Sequence, residues 1–303
     1  MQSKPSSVML AWAGLVCASL FWAGNALVAR GFNQSIPPLN LAFWRWLIAL
    51  LIVLPFVAKP LWQQRAALRR AGWRLLVLAG LGICSFSVLL YFAAQTTVAI
   101  NITLLGTCLP LLLFLGSGLL LGEWPARRTW WGMGIAAIGL LVLISAGSWQ
   151  RLLDLQFKPG DLFMLLAVLA WALYSLMLRR WADYLAPIPA LAQLAVMMAL
   201  GVLLLLPFYL LDVARGHLFE PSASNLMAIA YTALFASLFA YLAWNYGIKV
   251  LGAAKVGLSN YLMPVFTAVL GWLLLNEGLQ GFHWVGAALI FCGLLWANRR
   301  REV

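Results

Sequence analysis

Charge is what this sequence has least of. Only 9% of its 303 residues are Asp, Glu, Lys or Arg, against roughly 25% in soluble globular domains. Ala, Val, Ile, Leu, Met, Phe, Trp, Tyr and Cys make up 64%. A water-soluble fold cannot hide that much apolar surface, because burial is capped by the ratio of surface to volume. Mean hydropathy of +0.94 points to lipid as the main solvent. Acids are scarcest: Glu123, Asp154, Asp161, Asp183, Asp212, Glu220, Glu277 and Glu302 are the whole set, and all lie near the ends of apolar runs or between them. No buried carboxylate is therefore expected to hold sodium or relay a proton. Histidine occurs twice, and Cys17, Cys84, Cys108 and Cys292 sit in apolar segments without ligand spacing, so they read as small core hydrophobes. No metal and no cofactor are expected. A membrane enzyme would need a nucleophile with its base, a metal cluster or clustered acids, and none is supplied. No loop is long enough to form a sensor or scaffold domain.

What is present is a series of apolar runs. A span needs roughly 20 mostly apolar residues. Runs of that kind lie near 8–29, 37–57, 73–94, 98–121, 129–147, 160–178, 187–211, 223–247, 254–275 and 282–298. The first is too long for a signal-peptide core and reads as a retained helix. Between 95 and 101 no charge separates two runs, so a tight turn is expected there. A net charge of +12 invites a nucleic-acid reading, but the cations punctuate the runs instead of forming a basic stripe. With the N-terminus inside, fifteen Lys and Arg fall on inside segments and only Arg30, Arg151, Lys158 and Arg215 on outside ones. That asymmetry predicts a multi-pass protein with both termini in the cytoplasm, in a bacterial inner membrane given the short loops. Lipid is the expected surroundings, and nucleic acid is no partner.

The chain also repeats itself. A shift of 154 positions pairs Pro110 with Pro264, Glu123 with Glu277, Trp130 with Trp284, Gly132 with Gly286 and Gly139 with Gly293. A shift of 149 pairs Trp22 with Trp171 and Arg30 with Arg179. Each half holds five spans, and five is odd, so the second half enters the membrane upside down. The expected fold is all-α, ten transmembrane helices as two inverted five-helix repeats, 1–149 and 150–303, around a central cavity. Inverted repeats are a signature of transporters, with the site near the midplane between them.

The residues that repeat also carry a resemblance. Phe21-Trp22-Ala23-Gly24-Asn25 in the first span, Phe43-Trp44-Arg45-Trp46 in the second, Pro110 and Gly122-Glu123 in the fourth, and a Gly-rich fifth are echoed by Ala170-Trp171, Pro264, Asn276-Glu277 and Gly286 with Gly293. This pattern resembles the EamA family of the drug/metabolite transporter superfamily, over nearly the whole chain, and within it bacterial exporters of aromatic amino acids. It departs at helix seven, where Gln193 stands near the position of the arginine. The resemblance implies a cavity walled by helices one, three, four, six, eight and nine, alternating access, and helices five and ten outside the cavity.

Candidate residues follow. Trp22, Asn25, Tyr91, Asn101, Trp171, Tyr174, Asn245, Tyr246, Asn260 and Tyr261 fall on cavity helices, where amides and aromatic rings suit an amphipathic or zwitterionic solute; the alternative for each amide is interhelical hydrogen bonding. Pro110 and Pro264 stand mid-span, as hinges or as static kinks. Arg45 alone is ionisable within a span. It either holds a substrate carboxylate or ties helix two to neighbouring carbonyls, and helix two's place behind the cavity wall favours a structural role. Glu123 and Glu277, at matching helix exits, are read as fasteners. His283 is a proton group or an interfacial histidine. The small faces around Gly132, Gly139, Gly286 and Gly293 allow close approach of helices five and ten, to each other or to a second copy in a homodimer. The expected function is export of amino acids, aromatic and other neutral ones among them. A drug or metabolite exporter is the alternative. A phosphorylated cargo would demand several cations where only Arg45 is available.

Overall fold

The computed structural model describes residues 5–32, 34–97, 99–275 and 278–298. Among them every regular element is helical, and ten helices cross the bundle: α1 (Pro5–Gly31), α2 (Pro38–Gln63), α3 (Arg65–Thr96), α4 (Asn101–Leu121), α5 (Arg127–Ile144), α6 (Pro159–Arg180), α7 (Ala190–Ala214), α8 (Ala223–Leu251), α9 (Ala253–Leu274) and α10 (Gly281–Asn298). Nine are long and apolar enough to cross a membrane. The 18 residues of α10 reach about 27 Å at 1.5 Å per residue, close to the hydrocarbon thickness of about 30 Å.

Local chemistry sets the boundaries. Pro38 opens α2 and Pro159 opens α6, where the missing N–H costs nothing. Asp161 then accepts from the backbone N–H of Lys158 at 2.8 Å, closing the first turn of α6. Gly122 ends α4 at φ 69°, and Gly252 separates α8 from α9 at φ 83°, both left-handed positions that a side chain would strain. The turn expected between the third and fourth spans is at Thr97, whose backbone is extended. The structure departs from the sequence reading before it: α3 starts at Arg65, two turns ahead of the apolar run. Ala, Leu and Arg dominate Arg65–Arg74 and are strong helix formers, and the single Gly72 costs only about 1 kcal/mol against them.

The two halves interlock. Helix α1 packs on α8 and α9, while α6 packs on α3 and α4; α2 lies against α7, and α5 against α10. Each helix of one half thus finds the partner that its counterpart finds in the other, as an inverted repeat requires. Distortions repeat as well. The middle of α3 (Gly80–Ser85) and of α8 (Thr232–Phe239) widens into π-helix. Helix α4 is interrupted at Thr107, and α9 passes through a 3₁₀ turn at Ser259–Tyr261. Both interruptions lie just before the matching prolines, whose missing N–H removes a rung of the ladder.

The glycine faces of α5 and α10 are spent on each other within one chain. A Cβ on Gly132 would stand 2.5 Å from the Gly293 carbonyl oxygen, and one on Gly139 would stand 2.7 Å from that of Gly286. The backbones therefore touch, as in small-residue crossings between membrane helices. Trp131, Trp284 and Trp296 point outward from the pair, so contact between two copies through α5 or α10 would use those outer faces.

Candidate functional site

Where the halves meet, at mid-bundle, aromatic rings fill the space. Trp22 of α1 lies edge-on to Trp171 of α6 at 5.6 Å between centroids and 5.3 Å from Trp244 of α8. Tyr241 of α8 sits 5.1 Å from Trp171 and 4.7 Å from Trp46 of α2. Phe86 of α3 and Tyr174 of α6 close the group against Trp171. Tilted and edge-to-face pairs of this kind are the favoured aromatic geometries.

Four polar tips in the layer have partners. Tyr174 donates its hydroxyl to Asn245 Oδ1 at 2.7 Å, and Trp244 Nε1 donates to Ser175 Oγ at 3.1 Å. Tyr241 donates to the Gly82 carbonyl at 2.6 Å, and Trp22 Nε1 donates to the Ala236 carbonyl at 3.0 Å. Gly82 and Ala236 are 154 positions apart, the repeat offset itself, and both lie in the π-helical stretches. A π turn opens the backbone ladder and lets a side chain reach a carbonyl. Each half thus offers one carbonyl to the aromatic donor of the other. Trp46 Nε1 is buried with no partner among the described residues.

Arg45 borders this layer. Its Nη1 donates to Asn25 Oδ1 at 3.4 Å, and its guanidinium lies 5.2 Å from the Trp46 ring centroid. The backbone carbonyls expected to hold it do not; Nε is buried and has no acceptor.

Of the sequence-nominated residues, Trp22, Trp171, Tyr174 and Asn245 come together in the central layer, with Asn25 beside Arg45. Asn101 is elsewhere. Its amide nitrogen donates to both oxygens of Asp161, at 3.0 and 2.9 Å, where α6 begins. Tyr91 stands near Asp212, 3.5 Å from hydroxyl to carboxylate, beside a cavity of 170 Å³ that Arg215 also lines. Tyr246 and Asn260 are half-buried. Tyr261 belongs to a separate core with Phe114, Leu140 and Ile290, between α9 and α4, α5 and α10. Pro110 is buried at the α4–α9 crossing, next to Gly257; Pro264 is half-buried. Glu123 takes Arg179 at 2.7 Å, and Arg179 also donates to the Lys249 carbonyl, joining the exits of α4, α6 and α8. Glu277 lies outside the described residues. His283 caps the start of α10, accepting from Gln280 N–H at 2.9 Å.

Four central aromatic residues were not nominated as candidates from sequence: Trp46, Phe86, Tyr241 and Trp244. Among 40 aromatic residues nothing marked them from lipid-facing bulk, although Tyr241 stands one helical turn before Asn245. The expectation of no buried carboxylate is also corrected. Asp161 and Asp212 are 2% and 3% exposed. Asp161 is held by Thr97, Asn101 and Lys158 N–H. Asp212 receives Asn40 Nδ2 at 3.2 Å and His217 Nδ1 at 2.7 Å. A run-end position says how far along the helix an acid lies, not what covers it; here neighbouring helix ends and loops do.

The pseudo-symmetry is broken in one respect. At the end carrying both termini, the second half of α4 packs on Ala253–Leu258, and α6 packs on Ala240–Leu251. At the far end the counterpart pairs, Ala99–Gly106 with Leu262–Leu275 and Phe86–Thr96 with α1, make no comparable contact among the described residues. Among the described residues the two halves are packed more closely at the termini end than at the other.

A family model described as "EamA-like transporter family" matches residues 9–145 and again 158–299. The chain is 28% identical over 280 residues to "Uncharacterized transporter YyaM" of Bacillus subtilis, covering 92% of this chain and 90% of that one. It is 30% identical to "Protein PecM" of Dickeya dadantii over 74% of this chain and 72% of the relative. "Uncharacterized inner membrane transporter YedA" of Escherichia coli is 28% identical over 89% of this chain and 85% of its own. A solved crystal structure superposes with a TM-score of 0.79 at 22% identity, over 98% of this chain and 97% of that one; at that identity the likeness concerns the fold.

Proposed function

The chain belongs to the EamA-like transporter family, and from that premise we propose that it exports amino acids, aromatic and other neutral ones, by alternating access. The observation that carries this reading is the layer of Trp22, Trp171, Tyr174, Tyr241 and Trp244 between the halves, with Asn25 and Asn245 at its margin. Rings supply area for an apolar side chain, and neutral amides accept or donate without imposing net charge. The excess of cations at the termini end supports a cytoplasmic location for that end. A bacterial inner membrane is supported by the printed name of the Escherichia coli relative. On that orientation the less closely packed end faces outward, the side on which an exporter releases its solute. Two exchanging closures, one at each end, are what an inverted repeat makes available.

Flux through liposomes reconstituted with the purified chain tests the reading, using labelled phenylalanine, threonine and a sugar phosphate, with and without a pH gradient. Protein-dependent movement of both amino acids and none of the sugar phosphate is expected. Trp171→Ala should lower phenylalanine flux about tenfold, the size of effect that removing a central aromatic anchor has, in protein that still elutes as a single species. Movement of the sugar phosphate alone would overturn the proposal.

A further inference from the structure

Among the described residues Arg45 is a cation without a counter-charge. It lies about two turns into α2, at a depth where an ionisable side chain is costly and normally compensated. Among the described residues no carboxylate comes within ion-pair reach of it. The candidates are engaged elsewhere: Glu123 by Arg179, Asp161 by Thr97 and Asn101, Asp212 by His217 and Asn40. What Arg45 does have is a long contact to Asn25 and the face of Trp46. Its Nε is buried and unpartnered, and so are Trp46 Nε1 beside it and Ser237 Oγ on the π-helical stretch of α8, which packs on α2. Buried donors without acceptors are expensive. Arg45 Nε and Trp46 Nε1 are two such donors at one uncompensated charge, and they describe a site awaiting an anion.

We propose that Arg45 is the carboxylate-binding residue of this transporter, taking one monoanionic carboxylate from a solute whose remainder packs on the aromatic layer. This rests on the amino-acid reading for the rest of the solute and adds the group that selects it. The planar guanidinium matches a carboxylate's two oxygens. A single charge balances a single carboxylate and leaves a dianionic phosphate half uncompensated. The second half carries no such site: Gln193, near the matching position of α7, spends its amide on the carbonyls of Leu185 and Ile188 at 2.7 and 2.6 Å.

Binding of three labelled probes to the purified full chain tests this: phenylalanine, 3-phenylpropanoate, which lacks the ammonium, and phenethylamine, which lacks the carboxylate. The first two should bind, and phenethylamine at least about tenfold more weakly, the scale of a lost charge-assisted hydrogen bond. Arg45→Met should erase that preference, and Arg45→Lys should restore part of it. Equal binding of phenylalanine and phenethylamine by the unaltered chain overturns the proposal while leaving amino-acid transport standing. So does an Arg45→Met variant that keeps the preference, whereas failure of both carboxylates to bind overturns the proposal and the amino-acid reading together. If 3-phenylpropanoate binds through Arg45 and phenylalanine does not, the carboxylate site stands and the amino-acid reading falls. Should Arg45→Met fail to fold, the three probes on the unaltered chain and on Arg45→Lys decide alone.

Discussion

A hydroxyl or an amide in this protein is judged by whom it can reach. Tyr174 and Asn245 were nominated from sequence as solute contacts, and in the structure their polar atoms meet each other at 2.7 Å. Removing one partner strands the other in a dry interior. Tyr174→Phe should therefore cost about 1 kcal/mol, in the range measured for hydrogen bonds between membrane helices. Adding Asn245→Leu should recover part of the loss, which a double-mutant cycle of unfolding in detergent would measure. Asp161 is a heavier case, because three donors converge on it. Asp161→Ala leaves Asn101 and Thr97 facing an apolar methyl, and a loss of at least about 2 kcal/mol is expected from the same measurement. Full stability in that variant would mean that water takes the carboxylate's place. Asn101 shows what sequence reading can and cannot do at this scale. That it faces the protein interior follows from its residue type in a lipid setting. That its partner is an acid 60 positions away does not.

Helices pair according to what their surfaces lack. The glycines of α5 and α10 recur at the repeat offset, so their small faces were legible; the partner of each face was not, because a self-complementary surface fits a second copy as well as the other half. The carbonyl contacts at Gly132, Gly139, Gly286 and Gly293 settle the matter within one chain. Gly139→Leu should force the two backbones apart and destabilise by about 1–3 kcal/mol, the usual range for overpacking. Gly134→Ala, where an added Cβ meets nothing within 4 Å, should be neutral or stabilise by up to about 1 kcal/mol. Thermal unfolding of both variants in one detergent is the check; equal stability would place the pair's strength elsewhere. The π-helical stretches of α3 and α8 had no local signal. Their sequences read as ordinary apolar helix, and the distortion is seen only in company with the Tyr241 and Trp22 donors that use it.

The bundle as a whole packs its two ends unequally among the described residues. At the termini end Gly257 of α9 nests on Leu113 of α4, so closely that an ideal Cβ there would be 3.4 Å from the Leu113 Cβ. That is near the separation of Cβ atoms in a disulfide. With Cys17, Cys84, Cys108 and Cys292 replaced by serine or alanine, the pair Leu113→Cys and Gly257→Cys should oxidise readily and stop flux, and a reductant should restore it. Full flux in the oxidised protein would mean that this end does not have to open. The ion pair of Glu123 with Arg179 lies at the same end. Its exposure to solvent limits what it contributes to stability, so Glu123→Gln should change the rate of that cross-link more than the melting temperature.

Composition and periodicity determined most of the architecture. A backbone in lipid must satisfy its own hydrogen bonds, which leaves helices, and the number and length of apolar runs then count them. An odd count per repeat dictates inversion, and the recurring Pro, Gly and Glu set the register of the halves. What covers a helix end, which rings meet at the centre, which carbonyls open, and which end of the bundle is packed more closely depend on contacts between residues far apart in the chain. Two buried aspartates and a guanidinium without a counter-charge belong to that second group. The sequence placed each charge along its helix; only the packing of the other nine helices decided whether that charge found a partner.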